Sequence, residues 1–157
     1  MTTPSSTPSN LTHFLTNNGL DHAGRTYDQI LSQDDMWLET HHDWVQWCFP
    51  LFEPSQAVRN APVLQGAEQV AQIQVSAVAQ QHLAAGVARY SEFLRQNDHW
   101  LRFHDHNHLR ITRVIKALRI LASDAAADDF HEFVLDQVNT RSRRAFSPRV
   151  LEFLAAA

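Results

Sequence analysis

The stretch His106-Asn-His-Leu-Arg-Ile-Thr-Arg-Val-Ile-Lys-Ala-Leu-Arg-Ile-Leu121 spaces Ile111, Val114, Ile115, Leu118 and Leu121 three or four residues apart, the interval that lines up side chains along one side of an α-helix. Downstream, Ser123 reads as an N-cap and Asp124 as a charge suited to a helix's positive end, opening a helix whose buried side is Phe130, Phe133, Val134 and Val138. Arg141, Arg143 and Arg144 follow at its negative end, and Ser147-Pro148 reads as an N-cap with proline at the first helical position. That pair opens a last helix with Val150, Leu151 and Leu154 inward.

Upstream, Asn97 to Asp105 reads as a loop, preceded by Ala-rich helix from Glu68 to about Gln96 with a stripe of Ala79, Leu83, Gly86, Tyr90 and Phe93. Gly86 in that stripe costs about 1 kcal/mol relative to alanine, which points to a close crossing or a bend there. Pro50, Pro54, Pro62 and Gly66 make residues 50–66 the longest loop. Before it, Asp34 to Trp47 reads as one helix that buries Trp37, Leu38, Trp44, Val45 and Trp47 and ends near Cys48, because Pro50 cannot continue it. Two shorter helices carry Tyr27, Ile30 and Leu31, and Leu11, Phe14 and Leu15, the latter closed by Gly19. With four glycines and no stretch alternating apolar and polar residues between turn signals, the expected fold is all-α. It is a compact orthogonal or irregular bundle of about six to eight helices.

A chain of 157 residues with 44% hydrophobic side chains has the length and core of one ordinary domain, placed at residues 10–157 after a frayed tail at 1–9. That tail has no basic residue and no apolar run, so it is not read as a signal or transit peptide. Nowhere do about 18 apolar residues run together, so a soluble, cytoplasmic protein without a membrane partner is expected. Residues 1–98 hold ten acids and four bases, and residues 99–157 seven acids and nine bases. Neither portion is basic enough to suggest nucleic acid. The single cysteine, Cys48, excludes an internal disulfide and any zinc site built from two cysteines of one chain. Between Trp47 and Phe49 it reads as a buried, inert thiol, and no glycine-rich phosphate loop or serine elbow appears.

Two motifs carry a family resemblance. Leu38-Glu-Thr-His-His-Asp-Trp-Val-Gln-Trp-Cys-Phe-Pro50 is similar to the signature of the opioid growth factor receptor conserved domain, which Glu39, His42, Gln46, Trp47, Phe49 and Pro50 match. Trp44, Val45 and Cys48 stand where the family has tyrosine, isoleucine and leucine. His106-Asn-His-Leu-Arg-Ile-Thr-Arg-Val-Ile-Lys116 resembles a second family motif almost residue for residue, and Asp21 to Leu31, around Gly24-Arg25-Thr26, fits a third. The resemblance implies a helical fold and, in the namesake members, binding of an opioid peptide; nothing in this chain points to enkephalin as its partner.

On a continuous helix, Glu39, His42 and Gln46 fall on one face, and His106, Arg110 and Arg113 do the same on theirs. If the two stripes face each other, Glu39, His42, Gln46, Trp47, His106, Asn107, Arg110 and Arg113 form a polar ligand-binding pocket. Arginine forks there suit the carboxylate or phosphate of a small anionic molecule or a peptide, and histidine titrates near neutral pH. The structural alternative is that Glu39 pairs with Arg110 or Arg113 as a clamp while Gln46 and His42 satisfy backbone around Pro50 to Pro62. Ten histidines also raise a metal reading. His41, His42 and Asp43, and His99, His104, Asp105, His106 and His108, offer ligands, but adjacent residues and residues two apart diverge on a helix, so neither group closes around one ion unless the 104–108 segment is extended. The remaining cofactor alternative is a haem or divalent metal held by His42 and His106; otherwise no cofactor and no reaction class is assigned. Trp37, Trp44 and Trp47 are expected in the core, and Lys116 and Arg119 in solvent.

Overall fold

A computed structural model of the chain describes residues 6–102 and 104–141, with 6–9 described by backbone alone. Among the described residues there are eight α-helices and no strand, so the chain is all-α. The last helix read at Ser147 to Leu154, together with Arg143 and Arg144, lies outside the described residues. So do residues 1–5 of the stretch read as a tail, within which helix already begins at Ser6.

The chain divides into two compact units, Met1–Gly86 and Val87–Ala157. The first contains α1 (Ser6–Thr16), α2 (Tyr27–Leu31), α3 (Asp35–Thr40), α4 (Trp44–Cys48), α5 (Ala67–Val75) and the opening of α6 (Ala77–Gln96). The starts of α2 and α3 have a local cause. Thr26 and Gln29 form a reciprocal capping box on α2, and the Asp34 carboxylate accepts from the Trp37 N–H at 2.8 Å to open α3. α1 packs on α4 and α5. Gln69 fastens the last of these contacts: its amide oxygen accepts from the Gln65 N–H at 2.7 Å, and its nitrogen donates to Thr12 Oγ1 at 3.0 Å.

Two helices expected to be continuous are broken. Glu68 to Gln96 divides at Ser76, whose backbone is extended (ψ 118°) and whose hydroxyl accepts from the Ala79 N–H to restart the helix as α6. Asp34 to Trp47 divides into α3 and α4 at His41–Asp43, where His41 is extended at φ −97°, ψ 124°. The carbonyls this break leaves without helical partners are taken up locally. Trp44 Nε1 donates to Leu38 O at 3.0 Å, and His41 gives both its backbone N–H and its ring Nδ1–H to Trp37 O. The break also re-aims Trp37, which is only half-buried rather than a core residue, whereas Trp44 and Trp47 are buried.

Phe14 packs against Tyr27 and Trp47 with ring centroids 5.4 and 5.3 Å apart, and Tyr27 stacks on His82 at 4.5 Å and 3°. His82 Nδ1–H donates to the Leu15 carbonyl at 2.7 Å, and Tyr27 O–H donates to the Cys48 carbonyl at 3.1 Å. Both polar side chains are thereby satisfied inside the core. Gly86 makes that arrangement fit: a Cβ there would stand 2.6 Å from the Tyr27 hydroxyl and 2.9 Å from Phe49 Cζ. The close approach expected at Gly86 is present, made by two side chains against α6.

The second unit holds the remainder of α6, α7 (Asn107–Leu121) and α8 (Asp124–Arg141). α7 and α8 form a helical hairpin, with the Ser123 hydroxyl accepting from the Ala126 N–H to open α8. The α7 stripe Ile111, Val114, Ile115, Leu118 and Leu121 is buried with Phe130, Val134 and Val138 of α8. Phe133 is half-buried beneath the Arg95 guanidinium, 5.2 Å from its ring. The C-terminus of α6 is capped twice: the Trp100 indole donates to the carbonyls of Leu94 (2.8 Å) and Asn97 (2.9 Å), and Arg141 donates to the same pair (2.8 and 3.0 Å). Arg119 is half-buried rather than fully solvated, and it bonds Asp124 and Asp128 of α8.

Gly86→Ala is expected to lower stability in urea denaturation by about 1–2 kcal/mol, because overpacking a core costs about 1–3 kcal/mol and a better helix former returns about 1. Ala88→Gly, on the exposed face of α6, loses only the propensity.

Candidate functional site

Residues 21–25 close on themselves. The Asp21 carboxylate accepts from the N–H groups of Ala23 and Arg25, both at 2.9 Å; Asp21 N–H donates to Arg25 O at 2.8 Å; and Gly24 takes φ +77°, a conformation that costs glycine little. The turn aims Arg25 across the first unit. Its Nε donates to Asp21 Oδ2 at 2.8 Å, and Nη2 lies 2.7 Å from the same oxygen and 3.2 Å from Asp43 Oδ1. The Nη2–Asp43 contact is an ion pair without hydrogen-bond alignment, which leaves that Asp43 oxygen buried and bound by charge alone. The other Asp43 oxygen accepts from His22 Nε2 at 2.9 Å. His22 stacks on Trp47 (5.8 Å, 14°), Arg25 lies 5.1 Å from the centre of the Trp37 ring, and His41 stacks on Trp37 at 4.1 Å.

Burial by itself would push the Asp43 carboxyl up, but the Arg25 charge, joined by His22, outweighs it and holds the group below the ordinary carboxylate range. Arg25, despite its own burial, is held above its usual value by Asp21 and Asp43. Burial raises the Cys48 thiol well above its normal value, as expected of an inert cysteine, and likewise the Tyr27 phenol.

The structure treats the motif residues unevenly. Because of the break at His41, Glu39 and Gln46 do not share a helix face with His42. Glu39 is half-buried on α3, His42 is exposed in the connector, and Gln46 and Trp47 are buried on α4. Gln46 is turned to its own loop. The amide orientation that satisfies both ends donates to the His42 carbonyl at 2.8 Å and accepts from Ser55 Oγ at 3.2 Å, while that hydroxyl accepts from the N–H groups of Ala57 and Val58. Gln46 thereby meets the 55–58 turn through the Ser55 side chain and not, as the structural alternative had it, through the loop backbone.

In the second unit, Asn107 is fully buried. It accepts from the Tyr90 hydroxyl at 2.7 Å and from Arg110 Nη1 at 3.3 Å, and its backbone and side-chain nitrogens both donate to Asp105 Oδ1 at 2.8 Å. Arg110 is buried, Arg113 half-buried and His106 exposed. His108 donates Nε2–H to Trp100 O at 2.8 Å, and its partial burial, outweighing that bond, lowers its pKa. Among the described residues no three His, Cys, Asp or Glu side chains come together to hold a metal ion, and none of their helices is long and apolar enough to cross a membrane.

The cluster of Asp21, His22, Arg25 and Asp43 was not singled out from sequence. Asp43 is distant in the chain from the other three, and the visible signal was limited to Asp21 and Gly24-Arg25-Thr26 within the third motif.

Taken together, an all-α fold with polar motif side chains set into its helix connections defines a helical domain of the kind the two principal motifs describe. The sequence profile of the opioid growth factor receptor (OGFr) conserved region matches residues 4–154, and the chain belongs to that family. No curated protein and no solved structure matches it.

Asp43→Asn should flatten the acid limb of stability. A carboxylate whose folded pKa is depressed stabilises the fold above its unfolded value, near 4, and that contribution is lost as pH falls through the lowered folded value. Thermal melts from pH 7 to pH 2 should show the wild type losing about 0.5–1 kcal/mol more than the variant, the modest size reflecting a partly exposed pair.

Proposed function

We propose that this chain is a helical binding module of the OGFr family that recognises a peptide segment through the face formed by Trp37 and His41. The observation that carries this reading is the stacked indole–imidazole pair at 4.1 Å, braced by Arg25 at 5.1 Å, with Trp37 half-buried and His41 exposed beside the exposed Met36 and His42. Tryptophan and arginine dominate the energetic centres of binding surfaces because they present a large area with few rotamers to freeze. Here the ion pairs with Asp21 and Asp43 already hold the arginine in place. On this reading Gln46 and Trp47 support the surface from beneath, and His42 and Glu39 supply polar contacts at its rim.

A second observation supports the anionic-ligand reading for α7. Arg113 and Lys116 lie half-buried on a helix that carries no carboxylate, with the exposed His106 at its start. These three suit a small carboxylate or phosphate, while Arg110 and Asn107 are buried and bonded to each other and Arg119 is paired with Asp124 and Asp128. The cofactor alternative, a metal or haem, has only the exposed imidazoles His42 and His106 to rest on.

Selection of a random peptide library on the immobilised protein tests the main reading. Enriched peptides should lose about tenfold or more in affinity, the scale of a hot-spot truncation, on His41→Ala and on Trp37→Ala. Enrichment no better than on an unrelated helical protein, or unchanged affinity for a folded His41→Ala, would contradict it.

A further inference from the structure

His22 is held at its backbone, at one ring face and at one ring nitrogen. The self-closed 21–25 turn fixes its backbone, Trp47 supports one face of the ring, and Nε2 gives its proton to Asp43 at 2.9 Å. Asp43 is kept ionised by Arg25, 3.2 Å away. The side chain is 49% exposed, and Nδ1 has no hydrogen-bond partner among the described residues. A carboxylate on one nitrogen assigns the proton to that nitrogen and leaves the lone pair on the other, Nδ1 of this half-exposed ring. The charged groups around the ring are Asp43, Asp21 and Arg25, a set with excess negative charge that disfavours phosphoryl donors and admits neutral ones.

We infer that His22 is an oriented nucleophile that accepts an acyl group at Nδ1 from a neutral activated ester, with Asp43 as its positioning residue. The Nδ1 lone pair attacks the ester carbonyl carbon, the carbon–oxygen bond to the leaving group breaks, and that group departs as an alkoxide or phenolate with the electron pair. The Nε2 proton passes to the Asp43 carboxylate and on to water. A water molecule then adds to the acyl carbon and the new carbon–nitrogen bond breaks, which returns the imidazole and releases a carboxylic acid. It shares Arg25, Asp43 and Trp47 with the Trp37 and His41 binding face but does not rest on peptide binding there.

Hydrolysis of p-nitrophenyl acetate by the full chain tests the inference. If the ten histidines reacted alike, loss of one would remove about a tenth of the rate; an oriented nucleophile predicts that His22→Gln lowers the second-order rate constant by roughly tenfold. Mass spectrometry of briefly treated protein should place the acetyl group on the peptide containing His22. His13→Gln, an exposed imidazole on α1, should leave the rate unchanged. Asp43→Asn should lower it while Asp43→Glu restores much of it, a rescue that loss of mere structural support would not show. An unchanged rate in His22→Gln, or acetyl groups spread evenly over the exposed histidines, would overturn the inference.

Discussion

The charge of Arg25, shared between Asp21 and Asp43, holds together two parts of the chain that backbone hydrogen bonding alone would not join. Asp43 belongs to the connector after α3, and Asp21 to the turn before α2. Pairing both with one guanidinium draws the connector toward the turn, and the chain from Asp34 to Cys48 bends instead of running on as one helix. A partly buried ionic knot of this kind contributes little net stability, since desolvating its members offsets most of the attraction. What it supplies is geometry. With one partner removed, the other charges remain half-buried and uncompensated, so the arrangement resists intermediate positions of the connector.

Packing then takes over from charge. The bend brings Trp44 and Trp47 into the core beside Phe14 and Tyr27, and it leaves Trp37 at the surface with His41 against it. Tyr27 in turn requires the bare backbone of Gly86, and its hydroxyl satisfies a carbonyl at the end of α4. The polar groups of Tyr27, His82 and Trp44 that these steps bury each meet a carbonyl within the first unit. In the second unit the same economy appears at the end of α6, where one indole and one guanidinium share two carbonyls that would otherwise face the core.

Much of this was legible in the residues. Helical periodicity is a strong signal over 15 residues, so α7 and α8 were read with their buried faces, and the proline-rich loop and the crowding at Gly86 followed from simple sterics. The two helix breaks were not legible. Neither His41 nor Ser76 is a helix breaker, and continuous apolar spacing on both sides invited one helix through each. The breaks go with side-chain contacts that periodicity does not report: the local bonds of the Trp44 indole to Leu38 O and of the Ala79 N–H to the Ser76 hydroxyl, and the more distant pairing of the Asp43 carboxylate with Arg25. The placement of Glu39, His42 and Gln46 on a single face depended on that continuity and failed with it. The family motifs contain Gln46 and Asn107, but motif spacing could not show that these two turn into local hydrogen bonds, nor that Arg25, more than 15 residues from Asp43, completes the cluster.

The most direct measurement is a double-mutant cycle between Arg25 and Asp43, using Arg25→Met, Asp43→Asn and their combination in urea denaturation. Residues that act as one ionic unit should couple by about 1–2 kcal/mol, with the double variant far less destabilised than the sum of the singles. Additive losses, with no coupling beyond about 0.3 kcal/mol, would mean that the connector keeps its bend without the pair, and the account of the site built on it would fail.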